Sequence, residues 1–300
     1  MCGIVGLFTK NPQMEQRLGS LLAGMLVEMT DRGPDSAGVA VYGEQAPEGV
    51  CKVTLFSADE HYDWKNLGER LMAEFGHNST VEVRASHAVL QVPSTPDTVE
   101  QWVGQHYPEL RIMSSGDTIT IFKEKGSPVD VIKRFKLDEM QGTHALGHTR
   151  MATESAVTTA HSHPFSTGLD LCLVHNGSLS NHNRLRRMLR RRGVEFQTDN
   201  DSEVAAGYLT WRLAEGATLD QALESAIEDL DGFYTFAIGT RDGFAVLRDP
   251  IACKPAVLAE TDDWVAMASE FRAIASLPGV EQANIWEPKP AKIYSWHRKH

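Results

Sequence analysis

A cysteine at position 2, directly behind Met1, can supply both groups that a self-activated nucleophile needs. With the methionine removed, a thiol and a free α-amine share one residue. The amine's reference pKa of about 7.7 to 8.0 leaves a useful fraction unprotonated near neutral pH. A thiol with a base on the same residue is the N-terminal form of a nucleophile–base pair. Taken alone, Cys2 reads equally well as a buried thiol in a strand, because free cysteines are among the most buried residues.

Other stretches carry groups that could serve such a nucleophile. Leu171 to His175 is an apolar strand that ends in His175-Asn176-Gly177. An Asn amide beside a Gly N–H makes two converging donors for an oxyanion, although Asn-Gly is also the favoured pair of a type I′ turn. Leu146 to Thr153 reads as a strand running into a loop that presents Arg150. The arginine fork suits a carboxylate, from a substrate or from a salt bridge. Asp199-Asn200-Asp201-Ser202-Glu203 precedes a helical run and can cap it, or hold an ammonium group. Arg32-Gly33-Pro34-Asp35-Ser36 is a tight loop whose polar groups could buttress a neighbouring site.

Two other chemistries compete with this one. His148, His161, His163 and His175 suggest a metal, and His161-Ser162-His163 is a possible ligand pair. No acid or cysteine stands at a familiar zinc spacing from them, so no metal is expected. Arg184 to Arg192 is strongly basic, as nucleic acid or an acidic partner would require. Leu185, Met188 and Leu189 fall on one helical face, and the net charge is −11, so a solvated basic helix is the reading taken. The same acidity argues against a general nucleic-acid or anionic-membrane binder.

The elements that must position these groups are those of an α/β protein with an ample core. Three hundred residues, 42% hydrophobic and 23% charged, describe a globular chain of one large domain or two small ones. No apolar run approaches the roughly 18 to 20 residues of a bilayer span, and no secretory leader is recognisable. Four scattered cysteines without a CxxC pair point to a reducing, cytoplasmic setting. Ile4 to Phe8, broken by glycine, reads as a buried strand. Leu18, Leu21, Leu22, Met25 and Met29 place one amphipathic helix over 14–30, and a strand follows at 37–42. From 44 to 141 the texture changes to strands (53–56, 81–84, 119–122) and helices (63–75, 97–107) without dense chemistry. We read it as a small α+β insertion whose His77, His87 and His106 are surface or locally bonded. Helices after Glu203 and over 219–230, strands over 234–238, 243–247, 256–258 and 265–268, a short helix at 270–276 and an extended tail complete the chain.

Cys2-Gly3-Ile4-Val5-Gly6, Arg32-Gly33-Pro34-Asp35-Ser36, Gly147-His148-Thr149-Arg150, His175-Asn176-Gly177 and Asp201-Ser202-Glu203 occur in that order in one chain. Together they resemble the class II glutamine amidotransferases, N-terminal-nucleophile hydrolases, over nearly all of 1–43 and 143–276. Arg248-Asp249-Pro250, Lys254-Pro255 and Ala268-Ser269-Glu270 are similar to later pieces of the phosphoribosylamine-forming members. The resemblance implies an α+β fold, a four-layer αββα sandwich spanning 1–300, with 44–141 inserted. It implies that Cys2 attacks the side-chain amide of glutamine and forms a thioester. Asn176 and Gly177 would hold the oxyanion, Arg150 the α-carboxylate and Asp201 the α-ammonium, with His175 beside them at the substrate. In some relatives an aromatic residue and a histidine stand where Met151 and Glu154 stand here.

No synthase segment is recognisable after the glutaminase-like part, so the resemblance implies that another subunit uses the ammonia. The layout is similar to the amidotransferase-like subunit of N-methylglutamate synthase and of glutamate-synthase-related complexes. On that likeness the chain needs no cofactor of its own, and FMN and iron–sulfur centres belong to partner subunits of a hetero-oligomer. The alternatives are a stand-alone γ-glutamyl amidohydrolase and a catalytically silent scaffold subunit.

Overall fold

A computed structural model describes residues 2–152 and 157–298. The first part of the chain runs β1 (Gly3–Thr9), α1 (Pro12–Glu15), α2 (Leu18–Val27), β2 (Ser36–Tyr42), β3 (Cys51–Phe56), α3 (Trp64–Phe75), β4 (Thr80–Arg84), β5 (His87–Val92), α4 (Pro96–His106) and β6 (Arg111–Gly116). It continues through β7 (Ile119–Lys125), α5 (Pro128–Phe135), β8 (His144–Arg150), β9 (Phe165–Gly168), β10 (Leu171–Leu179), α6 (His182–Arg190), α7 (Asp201–Ala214) and α8 (Leu219–Asp229). The remainder is β11 (Gly232–Thr240), β12 (Gly243–Arg248), β13 (Val257–Glu260), β14 (Trp264–Ala268), α9 (Phe271–Ile274), β15 (Asn284–Trp286) and β16 (Ile293–His297).

Strand alternation builds the layers. In β1, Val5 and Leu7 join a core with residues of α2, α5 and α9, while Ile4 and Phe8 join a second core on the opposite face. That second core also takes Cys172 and Val174 of β10, so it lies between two sheets. Leu171 and Leu173, on the other face of β10, pack against α6, α7 and α8. The order helix, sheet, sheet, helix is the expected αββα sandwich. Both faces of each inner strand are buried, which is why these strands read as unbroken apolar runs.

One sheet has seven strands in the order β15-β13-β14-β1-β8-β2-β7, and the other has five in the order β16-β12-β11-β10-β9. A third sheet, β4-β5-β3-β6, carries its own core beneath α3 and α4, with Val53, Leu67, Leu90, Val99 and Trp102 among its members. This separately sheeted part runs from Cys51 to Gly116, inside the 44–141 window. β7 and α5, from the same window, belong to the seven-stranded sheet and its helical layer. Asp170, buried and left-handed at φ 49°, joins the β9–β10 turn to the β6–β7 turn. Its carboxylate accepts from the backbone of Asp117, Thr118 and Ile119 at 2.8–2.9 Å. Burial opposes that charge, but the backbone donors outweigh it and hold the carboxyl below its usual pKa.

One expectation from the sequence needs correction. The single helix over 14–30 is α1 and α2, separated at Gln16 and Arg17, and residues 30–32 form a 3₁₀ turn. The apolar face is placed as expected, but the segment 137–142 intercepts the helical ladder. Gly19 N–H donates to Met140 O, and Glu15 O, its helical acceptor, takes Gly142 N–H instead. A Cβ on Gly19 would lie 2.0 Å from Leu137 O, so only glycine admits this crossing. Of the two readings of His87, the structure takes the second: it is buried among the rings of Phe56, Phe122 and Phe135 and bonded locally to the Ser86 hydroxyl at 3.1 Å.

Burial pushes His87, His144 and His148 each down to about 3, so folding strips their protons. The unfolded chain then binds more protons than the folded one between about pH 6.5 and 3. Stability is expected to fall as the pH drops below about 6.5, by about 1.4 kcal/mol per pH unit for each ring. Urea unfolding midpoints at pH 7, 6 and 5 check this, and a flat profile would contradict it.

Candidate active site

β1 starts beside the end of β8, with Gly3 opposite Thr149, and beside the end of β14. Ser269, just past β14, fastens that start: its hydroxyl accepts from Ile4 N–H and its own N–H donates to Ile4 O, both at 2.9 Å. Cys2 therefore emerges half-buried at the rim of the sandwich with its main chain fixed. Two side chains complete the fixation. Arg32 Nε donates to Cys2 O at 3.1 Å, and Asn176 Nδ2 donates to the same oxygen at 3.2 Å. Arg32 is buried, and its Nη1 pairs with Glu270, whose carboxyl the guanidinium holds below its usual pKa. Its Nη2 is also buried and has no hydrogen-bond partner among the described residues.

Asn176 and Gly177 do not form a turn. They lie inside β10, opposite Thr235 and Tyr234 of β11. Gly177 sits at φ 151°, and a Cβ there would fall 2.0 Å from Phe233 O and 2.8 Å from His175 Nε2. The Asn-Gly pair is thus required by a close strand crossing rather than by a reversal of the chain. A primary amide has two N–H donors, so Asn176 can hold the Cys2 carbonyl and still offer a second hydrogen.

Arg150 is the last residue of β8, buried, with Ser36 opposite it on β2. The loop before β2 is its seat. Asp35 N–H donates to Arg150 O, and the Asp35 carboxylate accepts from Ala152 N–H at 2.8 Å. A Cβ on Gly33 would lie 2.4 Å from Arg150 N, which explains the glycine. The loop that reads as a possible buttress is one, and Arg32 within it reaches Cys2 directly.

Asp201 opens α7, capped by Asn200, whose side chain accepts from Ser202 N–H. Its Oδ2 accepts from Leu179 N–H at 2.9 Å, tying the helix to the end of β10. Its Oδ1 lies 3.9 Å from His175 Nδ1. The Ser202 hydroxyl sits 2.8 Å from both His175 Nδ1 and His163 Nε2, with Asp201 Oδ1 a further acceptor at 3.4 Å. His148 Nε2 donates to His175 O at 3.0 Å, and its ring stacks on His163 with centroids 4.0 Å apart. Burial lowers the pKa of His163 and His175 as well, and Asp201 only partly opposes this at His175. His175 is thus a neutral ring turned toward Ser202.

Cys2, Asn176, Gly177, Arg150, Asp201 and His175 are brought to one end of the sandwich. Met1 and Glu154, which also enter the sequence argument, lie outside the described residues. The histidines separate: His161 Nε2 meets Asp199 at 2.9 Å, whereas His163 turns inward to Ser202. Among the described residues, no group of three His, Cys, Asp or Glu side chains is placed to hold a metal. Arg32, Ser202 and His163 are the members that sequence reasoning did not assign. Motif order could have flagged Arg32, but nothing local to Ser202 or His163 announces a shared hydroxyl.

Comparison with known proteins gives the family and the fold. Residues 148–276 match the model of a glutamine amidotransferase domain. The glutamine amidotransferase-like protein GlxB of Rhizobium meliloti (strain 1021) is 56% identical over 100% of this chain and 99% of its own. An amidophosphoribosyltransferase of Methanocaldococcus jannaschii is 30% identical over 61% of this chain and 40% of its own. Among solved structures, the glutamine phosphoribosylpyrophosphate amidotransferase of B. subtilis superposes with a TM-score of 0.63 at 20% identity, over 99% of this chain. This chain spans 47% of the length of that enzyme, and the likeness is one of fold.

Ser202→Ala would leave a buried nitrogen of His163 and one of His175 without their shared partner. The expected loss is about 2 kcal/mol or more of unfolding free energy, the typical cost of orphaning buried polar groups. Equilibrium urea unfolding at pH 7 measures it.

Proposed function

Because the chain belongs to the class II glutamine amidotransferase family, we propose that it hydrolyses the side-chain amide of L-glutamine, or of a γ-glutamyl amide, at Cys2. The observation that carries this reading is the convergence of Arg32 and Asn176 on the Cys2 carbonyl. It sets the residue's thiol and backbone nitrogen beside a strand that offers an Asn amide and a Gly N–H.

In this reading Met1 is removed, and the freed α-amine takes the proton of the Cys2 thiol as sulfur attacks the amide carbon. The second N–H of Asn176 and the Gly177 N–H stabilise the oxyanion, each donor supplying about 2.7 to 4 kcal/mol. The amine returns the proton to the leaving nitrogen, and the C–N bond breaks to give ammonia and a thioester. Water, deprotonated by the same amine, cleaves the thioester to glutamate and restores the thiol. Arg150 holds the α-carboxylate, and Asp201, its position fixed by Leu179 N–H, holds the α-ammonium. His175, buried against Ser202, supports Asp201 and the Asn-Gly strand rather than touching the substrate.

The ammonia goes to a synthase on a separate subunit, in a cytoplasmic hetero-oligomer. Partners like the FMN and iron–sulfur portions of glutamate synthase, as in N-methylglutamate synthase, fit this role. The chain itself then needs no cofactor. Copurification with a flavoprotein supports that assembly, whereas steady, uncoupled glutamine hydrolysis by the isolated chain supports a stand-alone amidohydrolase.

Cys2→Ala is expected to abolish glutamine hydrolysis with the unfolding midpoint unchanged, and retained turnover would remove the nucleophile assignment. Intact-mass measurement of the active protein should show Met1 absent. Arg150→Lys and Asp201→Asn are expected to weaken glutamine binding, each by about tenfold or more in KM, as loss of a charged hydrogen bond implies.

A further inference from the structure

One buried carboxylate links the inserted sheet to a loop beside the candidate site. Glu124, on edge strand β7, accepts from the Thr159 hydroxyl through Oε1 and from the Ser86 hydroxyl through Oε2, the latter at 3.1 Å. Ser86 lies in the β4–β5 turn of the inserted sheet, and its oxygen is also 3.1 Å from His87 Nδ1. Its one proton goes to Glu124, so His87 must donate to it. Thr159 belongs to the loop that runs from Thr158 to Pro164 and leads into β9. Glu124, Ser86, His87 and Thr159 are all buried. The contact is therefore a dry chain of hydrogen bonds from the inserted sheet to this loop.

The next side chain of β7 grips the same loop from the opposite face of the strand. Lys123 Nζ donates to Ser162 O at 2.9 Å and to Pro164 O at 3.0 Å, and it lies over the Phe165 ring. Its partner across the ladder is Gly38, where a Cβ would meet His163 O at 2.2 Å, so the loop lies directly on β2. The residue held between these anchors is His163, whose Nε2 meets Ser202, the neighbour of Asp201. Loop position thus translates into the placement of Ser202, His175 and the first turn of α7.

We propose that Glu124 is a positioning residue for the substrate site, acting through Thr159, and that the inserted sheet takes part in setting that site through Ser86. The substrate in this statement rests on the glutamine reading above; the coupling of sheet to loop does not. A carboxylate that accepted from Thr159 alone would hold the loop to β7. The second oxygen, given to Ser86, makes the loop's position depend on how the inserted sheet is seated.

The test uses the full-length chain with Ser86→Ala, Thr159→Val and Thr159→Ser, and two measurements. Hydrogen exchange over residues 158–164 reads the loop, and the steady-state kinetics of glutamine hydrolysis read the site. Ser86→Ala and Thr159→Val are expected to speed loop exchange and to raise the glutamine KM about two- to tenfold, the equilibrium worth of one hydrogen bond, with kcat nearly unchanged. Thr159→Ser, which keeps the hydroxyl, is expected to restore both. Unchanged loop exchange in Ser86→Ala overturns the coupling. Faster exchange with an unchanged KM overturns the positioning role. If the unmodified chain does not hydrolyse glutamine at all, the functional reading fails while loop exchange still decides the coupling.

Discussion

The carbonyl oxygen of Cys2 accepts one hydrogen bond from each half of the sandwich, and the site depends on that shared acceptor. Arg32 comes from the loop leading into β2 of the seven-stranded sheet, and Asn176 from β10 of the five-stranded sheet. Their donors meet only if the two sheets are packed at the right separation and register. Packing of Ile4, Leu146, Val174 and Phe244 between the sheets sets both. A change of core volume there would move one donor relative to the other, because interiors are close-packed and transmit strain. The geometry around Cys2 is in this sense a property of the central apolar layer.

Much of this was legible in the sequence, and the parts that were not share a cause. Strand and helix types followed from periodicity, because each inner strand is apolar on both faces and each helix on one. The five motifs pointed to one end of one fold because their order is itself a constraint. What escaped were features decided by partners far along the chain. The apolar face of 14–30 predicts one helix correctly as far as packing goes, yet the backbone of 137–142 takes its hydrogen bonds. Asn176-Gly177 carries the local signature of a turn, and only the carbonyl of Phe233 explains the glycine. His87 and His163 look like loop histidines until the rings and hydroxyls around them are known.

The inner end of the site is built from neutral imidazoles. His148, His163 and His175 are pressed together, and the Asp201 carboxylate, 3.9 Å from His175 Nδ1, only partly offsets the cost of charging that ring. Burial favours their neutral forms, so they act as hydrogen-bonding spacers rather than as proton carriers. Arg150 and Asp201, one charge of each sign, stand at the end of β8 and the start of α7.

β1, the first strand in chain order, also has late partners. Ile4 meets Ser269 across a sequence separation of 265, and Asn176 reaches Cys2 across 174. Both flanking strands, β8 and β14, come long after it. During synthesis an apolar segment would therefore leave the ribosome early and wait, unpaired, for most of the remaining chain. Slow, non-local pairing of this kind exposes a strand to wrong neighbours. The arrangement that places the thiol between two sheets also makes its strand one of the last to find all its neighbours.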